Sequence, residues 1–399
     1  MCTAVSYHTK DHYFGRNLDF ECSYGESVTI TPRHFLFCLP EGAEFRTKYA
    51  MIGMAHVAEG TPLYYDVVNE KGLAMAGLLF AGNAVYQKRQ EGKDNIPSWA
   101  LLPWILGQCE TVAEARVLLE RIAVTDEPFS EALQPSPMHW MLADAAQCLV
   151  IEQMADGLHL YDNPIGVLAN NPPFPFHREN IRQYLNVTAE PAQDRFSGQE
   201  LLSPFSRGMG GFGLPGDLSS ASRFVRAAFV KLNSRSAEGE KESVSQFFHI
   251  LGAVEQQRGC CYLGEGKYEI TIYSSCCNLE KGIYYYKTYD NHSITAVELH
   301  KENLDGEELI YYPLVSLLYD TMQKGGYYGT DIGFGLTAQK GITGKNRAAL
   351  YGTACQRRGT HHAEKPCGGC YGIIPTEGRG NRSSADRGLH YHRGGYGGC

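Results

Sequence analysis

Apolar and polar positions alternate with strand period at the start of the chain. Cys2-Thr3-Ala4-Val5-Ser6-Tyr7 alternates, a polar turn follows, and Phe14-Gly15-Arg16-Asn17-Leu18-Asp19-Phe20 resumes the pattern, which predicts a hairpin. Residues 27–32 read as a strand stopped by Pro32. Residues 49–55 and 72–80 are apolar runs with glycines, read as buried strands, and Asn69-Glu70-Lys71-Gly72 has turn chemistry. From Pro97 the pattern becomes helical as far as Gly107. Thr111-Val112-Ala113-Glu114 then reads as a capping box, Glu114 reaching back to the Thr111 backbone, with Val117, Leu118 and Ile122 behind it at helical spacing.

Strands return at residues 138–144, 148–152, 158–161 and 166–169, the last stopping in Asn170-Asn171-Pro172-Pro173. Residues 205–218 are glycine-rich without the GK[ST] ending of a phosphate loop, and are read as a mobile loop. A helix from Ser219-Ser220 carries Arg223, Phe224 and Arg226, and another over residues 242–256 buries Val244, Phe247, Phe248, Ile250 and Leu251. Strands over 268–275, 282–289 and 293–299 close the folded part. This order predicts an α+β fold with two sheets, each covered by helices on one face. Residues 323–399 differ: dense in Gly, Arg and His and without apolar periodicity, they form an expected disordered tail after a folded domain at 1–322. In that tail the spacings of Cys367, Cys370, His361, His362, His390 and His392 fit no compact zinc site.

Composition narrows the function. A 43% hydrophobic fraction supports a substantial core, while a net charge of -8 with no basic stripe argues against nucleic acid as partner. Polar residues follow Met1 at once and no apolar run is long enough to span a bilayer, so a cytoplasmic chain without stable membrane association is expected. The 13 cysteines are odd in number and irregularly spaced, which implies no disulfide framework.

The candidate chemistry lies at the start. Once Met1 is removed, Cys2 carries both a thiol and an α-amine that titrates near pH ~7.7–8.0, so one residue holds nucleophile and base. The hairpin returns Arg16 and Asp19 beside it, a cation for the thiolate and a carboxylate for the ammonium form. Position alone also fits a small buried cysteine with a solvated ion pair on a strand edge. Asn170, at a strand end, fits either a turn former or an amide donor to an oxyanion.

The chain resembles the choloylglycine hydrolase family of bile salt hydrolases and penicillin V acylases, closer to the bile salt branch. The matching residues run from Met1-Cys2-Thr3 through Phe14–Asp19, Asn69–Leu73, Met138–Met141, Gly166–Pro172, Leu214–Asp217, Ala221–Phe224 and Glu280–Tyr286. The resemblance implies an N-terminal nucleophile αββα sandwich, two antiparallel sheets between helix layers. It implies Cys2 as nucleophile, Arg16 and Asp19 in support, Asn170 in the oxyanion hole and Arg223 near the nucleophile. It also implies loss of Met1, a homotetramer, and neither metal nor organic cofactor. The substrate expected is a glycine- or taurine-conjugated bile salt, in a cleft lined by loops near 20–26, 56–65 and 127–137. One departure is Leu79, where the bile salt hydrolase pattern Gly-Leu-Asn-Phe has asparagine; Leu79 offers only a backbone N–H to an oxyanion. That leaves two alternatives: an acylase for penicillin V or acyl-homoserine lactones, or a crippled paralogue that binds an apolar ligand. A papain-like Cys-His enzyme is disfavoured, since no histidine sits in a suitable motif.

Overall fold

Two antiparallel sheets stacked face to face organise the chain. The computed structural model describes residues 1–315 other than 197 and 200; the tail expected from 323 lies outside the described residues. The first sheet runs in the order Val167–Leu168, Cys2–His8, His12–Phe20, Ile270–Asn278, Ile283–Thr288, Thr295–Glu298. The second runs Gly157–Asp162, Cys148–Met154, Met138–Ala143, Ala74–Leu79, Thr61–Asn69, Met51–Ala58, Ser27–Thr31, Ile310–Pro313.

Strand alternation feeds two cores. Ile52, Ala74, Ala76 and Leu78 point between the sheets, with Ala4, Phe14 and Tyr273 opposite. Met51, Leu73 and Met75 point the other way, under the helices Leu101–Leu106 and Val112–Leu119. Strands buried on both faces have no polar side, which is why they read as continuous apolar runs. The helices Ser220–Asn233 and Glu240–Gly252 cover the outer face of the first sheet through Phe224, Phe247 and Leu251. The layers are therefore helix, sheet, sheet, helix, the expected αββα sandwich.

Several local expectations are corrected. The helical run from Pro97 is shorter: Asp94–Pro97 is a strand paired in parallel with Ile122–Thr125, and the α-helix occupies only Leu101–Leu106. Ile122 thus belongs to a strand, not to the helix before it. Thr111 caps its helix by accepting the Glu114 N–H at 3.2 Å, but the Glu114 carboxylate takes the Glu110 N–H at 2.9 Å instead of that of Thr111. Residues 56–65 are no loop. They form the tip of a hairpin whose turn residues Glu59 and Gly60 both have positive φ, 49° and 75°, the twist a two-residue turn needs. The last helix stops at Gly252, short of 256, and a helix at Phe174–Asn180 follows the two prolines without being foreseen.

Candidate active site

The hairpin of the first two strands sets the site. Cys2 pairs with Leu18, Thr3 with Asn17 and Ala4 with Arg16. Residues directly opposite share a face. Arg16 accordingly lies on the Cys2 face and reaches the second sheet, donating from Nη1 to the carbonyls of Tyr65 (3.0 Å) and Gly77. Thr3 and Asn17 face the helices, where Asn17 Nδ2 donates to the Leu251 carbonyl at 3.1 Å. Gly15, just before Arg16, has no room for a side chain: a Cβ there would lie 2.0 Å from the Ser275 carbonyl oxygen. The glycine lets the second strand press against its neighbour and brings Arg16 to depth.

Five of the residues named from sequence converge. Asn170, at the end of the short strand Val167–Leu168, accepts the Cys2 N–H on Oδ1 at 2.7 Å. Arg223, on the helix Ser220–Asn233, donates to the same Oδ1 at 2.6 Å, to the Cys2 carbonyl at 2.5 Å and to Thr3 Oγ1 at 2.6 Å. Asp19 lies 3.9 Å from Arg223, its carboxylate accepting from Thr271 Oγ1 (2.6 Å) and Gln256 Nε2 (3.2 Å). Arg16, Asp19 and Arg223 are fully buried, and Cys2 and Asn170 nearly so. Leu79 contributes by its backbone: its carbonyl accepts Asn170 Nδ2 at 2.7 Å. The Phe80 N–H goes to Pro137, which in an antiparallel ladder turns the Leu79 N–H and C=O away from that strand.

Charge is balanced in pairs. Burial opposes the Arg16 charge, but attraction from Cys2, Tyr273, Asp66 and Asp19 holds its pKa above the ordinary arginine value. Its Nη2 is buried without a hydrogen-bond partner among the described residues. Burial lowers Arg223 against the pull of Asp19 and Cys2. Asp66 accepts from Tyr273, Tyr284 and Ser275, and burial pushes its carboxyl up despite the neighbouring Arg16. Met1 is in place, so the Cys2 nitrogen is a peptide amide. The Met1 ammonium donates to the Asp19 carbonyl at 2.7 Å and pairs with Glu269, and burial lowers its pKa. The thiols of Cys109 and Cys148 are pushed up by burial, to about 11 and about 12, as are those of Cys276 and Cys277. Such thiols stay protonated and inert.

Sequence reading gave no site role of their own to Thr3, Thr271, Gln256, Asp66 and Glu269, each of which makes a contact here to a residue more than 200 positions away in sequence. It also missed His177, whose Nε2 donates to the Asn170 carbonyl at 2.8 Å and whose pKa is pushed down to about 4 by burial. Glu152 carried a signal, an acid closing the apolar run Cys148-Leu149-Val150-Ile151. Among the described residues no cluster of His, Cys, Asp or Glu is arranged to hold a metal.

A four-layer sandwich with a thiol beginning a central strand, an amide oxygen on that residue's nitrogen and an arginine bridging the two defines an amide hydrolase of the N-terminal nucleophile class. The comparisons give the family. The linear amide C–N hydrolases, choloylglycine hydrolase family, match residues 2–312. The bile salt hydrolase/transferase of Lactiplantibacillus plantarum is 52% identical over 79% of this chain and 98% of its own. The structure of a C2A mutant of the conjugated bile acid hydrolase from Clostridium perfringens superposes with a TM-score of 0.76 at 39% identity, over 81% of this chain and 99% of that one. Penicillin V acylase from Agrobacterium tumefaciens shares the fold, with a TM-score of 0.64 at 17% identity, over 80% of this chain and 93% of that one. This chain belongs to the choloylglycine hydrolase family.

Proposed function

We propose that the chain hydrolyses glycine- or taurine-conjugated bile salts through a thioester on Cys2. The observation that carries this reading is the Asn170 bridge, which ties the Cys2 nitrogen to Arg223 within 2.7 Å on either side. Relatives named as bile salt hydrolases support the substrate.

Removal of Met1 turns the Cys2 amide into an amine. Asn170 Oδ1 then accepts an amine hydrogen and aims the nitrogen lone pair at the thiol proton. The thiolate, facing the Arg16 guanidinium, attacks the amide carbonyl carbon. Asn170 Nδ2 has two hydrogens and gives one to Leu79; the second, with the Leu79 N–H, is the donor pair for the oxyanion. As the tetrahedral intermediate collapses, the Cys2 ammonium protonates the departing amine, and glycine or taurine leaves. Asp19 stabilises that ammonium. Water, giving its proton to the same amine, adds to the thioester carbonyl; release of the free acid restores the thiol.

Three further parts belong to the same reading. Residues 1–322 form the catalytic domain and 323–399 an appendage not needed for turnover. The chain works as a homotetramer, which suits the exposed Leu185, Phe196, Leu201, Phe205 and Phe212 in the long connection before the helix at Ser220. It acts in the cytoplasm, where its free buried thiols stay reduced; no helix among the described residues is long and apolar enough to cross a membrane. A second reading, an acylase for penicillin V or acyl-homoserine lactones, rests on Leu79 standing where the bile salt pattern has asparagine. The test is a substrate panel of glycocholate, taurocholate, penicillin V and an acyl-homoserine lactone, with wild type and Cys2→Ala. Release of glycine or taurine that disappears in Cys2→Ala supports the first reading. Turnover confined to the other two substrates supports the second.

A further inference from the structure

A buried acid–base pair stands outside the groups that touch the reacting atoms. His139 and Glu152 lie on neighbouring strands, one step beyond the paired residues Trp140 and Ile151, and both are fully buried. Trp140 and Ile151 face the helices, so alternation turns His139 and Glu152 inward, toward the first sheet. His139 Nε2 meets the Ala169 carbonyl at 2.9 Å, and its Nδ1 meets Glu152 Oε1 at 3.0 Å. Glu152 also accepts the Phe174 N–H at 3.0 Å, and Phe80 stacks on the imidazole with centroids 4.2 Å apart and planes within 4°.

Hydrogen-bond accounting fixes the proton. The Ala169 carbonyl only accepts, so Nε2 carries hydrogen. A second proton must then lie between Nδ1 and the carboxyl oxygen, as imidazolium with carboxylate or as neutral imidazole with carboxylic acid. Either form locks the ring plane and aims Nε2–H at Ala169. The next residue is Asn170. Its N–H goes to Ser220 Oγ at 2.8 Å and its carbonyl takes the His177 bond, so three successive polar atoms of this backbone are held from three directions.

We propose that His139 and Glu152 are positioning residues that hold Asn170 in catalytic register through the Ala169 carbonyl. A buried ion pair adds little net stability compared with apolar packing. What it adds here is direction: the donor to Ala169 can point only one way. A displacement of 1 Å at a catalytic donor costs on the order of 10²-fold in rate.

The inference rests on Asn170 as oxyanion donor, and a double-mutant cycle separates the two. kcat and KM for glycocholate are measured for wild type, Glu152→Ala, Asn170→Ala and the double variant, with thermal melting recorded alongside. Expected is a kcat loss on the order of 10²-fold in Glu152→Ala at little-changed KM, and no further loss when Glu152→Ala is added to Asn170→Ala. Glu152→Gln should restore kcat, because its amide N–H can donate to Nδ1 of a neutral ring while its oxygen keeps the Phe174 bond. An equal loss from Glu152→Ala in both backgrounds overturns the inference and leaves Asn170 as the donor. A Gln variant as slow as the Ala variant also overturns it. Unchanged kcat in Asn170→Ala overturns the oxyanion reading itself, and this inference with it. If Glu152→Ala does not fold, His139→Asn closes the cycle, since the shorter amide still meets Glu152 but no longer reaches Ala169.

Discussion

Replacing Asn170 by Asp separates the two jobs this side chain is given. In the structure Oδ1 takes bonds from the Cys2 nitrogen (2.7 Å) and Arg223 (2.6 Å), while Nδ2 gives one to Leu79 (2.7 Å) and keeps one hydrogen free. Asp keeps Oδ1 and its two donors. It replaces the amide nitrogen with an oxygen that faces the Leu79 carbonyl and donates nothing. Losing one oxyanion donor costs ~10²–10³ in kcat, and a carboxylate beside the developing oxyanion adds to that. A loss of about 10³-fold at little-changed KM is therefore expected, measured as initial rates of glycine release from glycocholate. Thermal stability should move little, because repulsion at Leu79 is offset by a new charge partner for Arg223. Asn170→Ala provides the contrast: it also frees the Cys2 amine and leaves Arg223 Nη2 without its bond, costing about 1.5–3 kcal/mol of stability. An Asp variant within about threefold of wild type would remove Asn170 from the oxyanion hole, since a missing donor cannot cost so little.

Thr271→Val withdraws the 2.6 Å bond to Asp19 and leaves the carboxylate the longer bond from Gln256 and the charge of Arg223; a kcat loss of roughly 10-fold is expected, read in the same assay. Acid should weaken the fold through two buried histidines. Burial holds His12 down to about 3 and His177 to about 4, so both are neutral in the folded protein at pH values where the unfolded chain binds protons. Their stabilising contribution is complete above the unfolded value near 6.5 and is lost as pH falls toward the folded values. For His177 the loss is about 3 kcal/mol by pH 4, seen as a falling melting temperature that His177→Gln should flatten. A chain ending at residue 322 should keep the turnover of the full chain; a large loss on truncation would make the tail part of the working enzyme.

The legible part of this protein is local in sequence. The hairpin that carries Cys2, Arg16 and Asp19 could be read because its strands are consecutive and their alternation is clean. Asn170 was legible locally as a strand-end amide with two possible uses, and Arg223 only as a motif position of a resembled family; nothing in their spacing says that they meet over Cys2. Thr271 and Gln256 escaped because an Asp19 partner 252 residues away in sequence leaves no periodic trace. The segment 56–65 was misread because its polar residues imitate a loop, although a pair of positive-φ residues is enough to join two long strands. His139 read as a strand residue inside the matched segment Met138–Met141; its bond to the Ala169 carbonyl is set by a strand pairing that no local pattern reveals.

The most direct measurement is intact mass and peptide mapping of the enzyme acid-quenched during turnover of glycocholate. Expected is a chain lacking Met1, with the cholyl group carried on the Cys2 sulfur as a thioester and absent from Cys2→Ala. Full turnover by a chain that retains Met1, or by Cys2→Ala, would contradict a nucleophile and base sharing one residue.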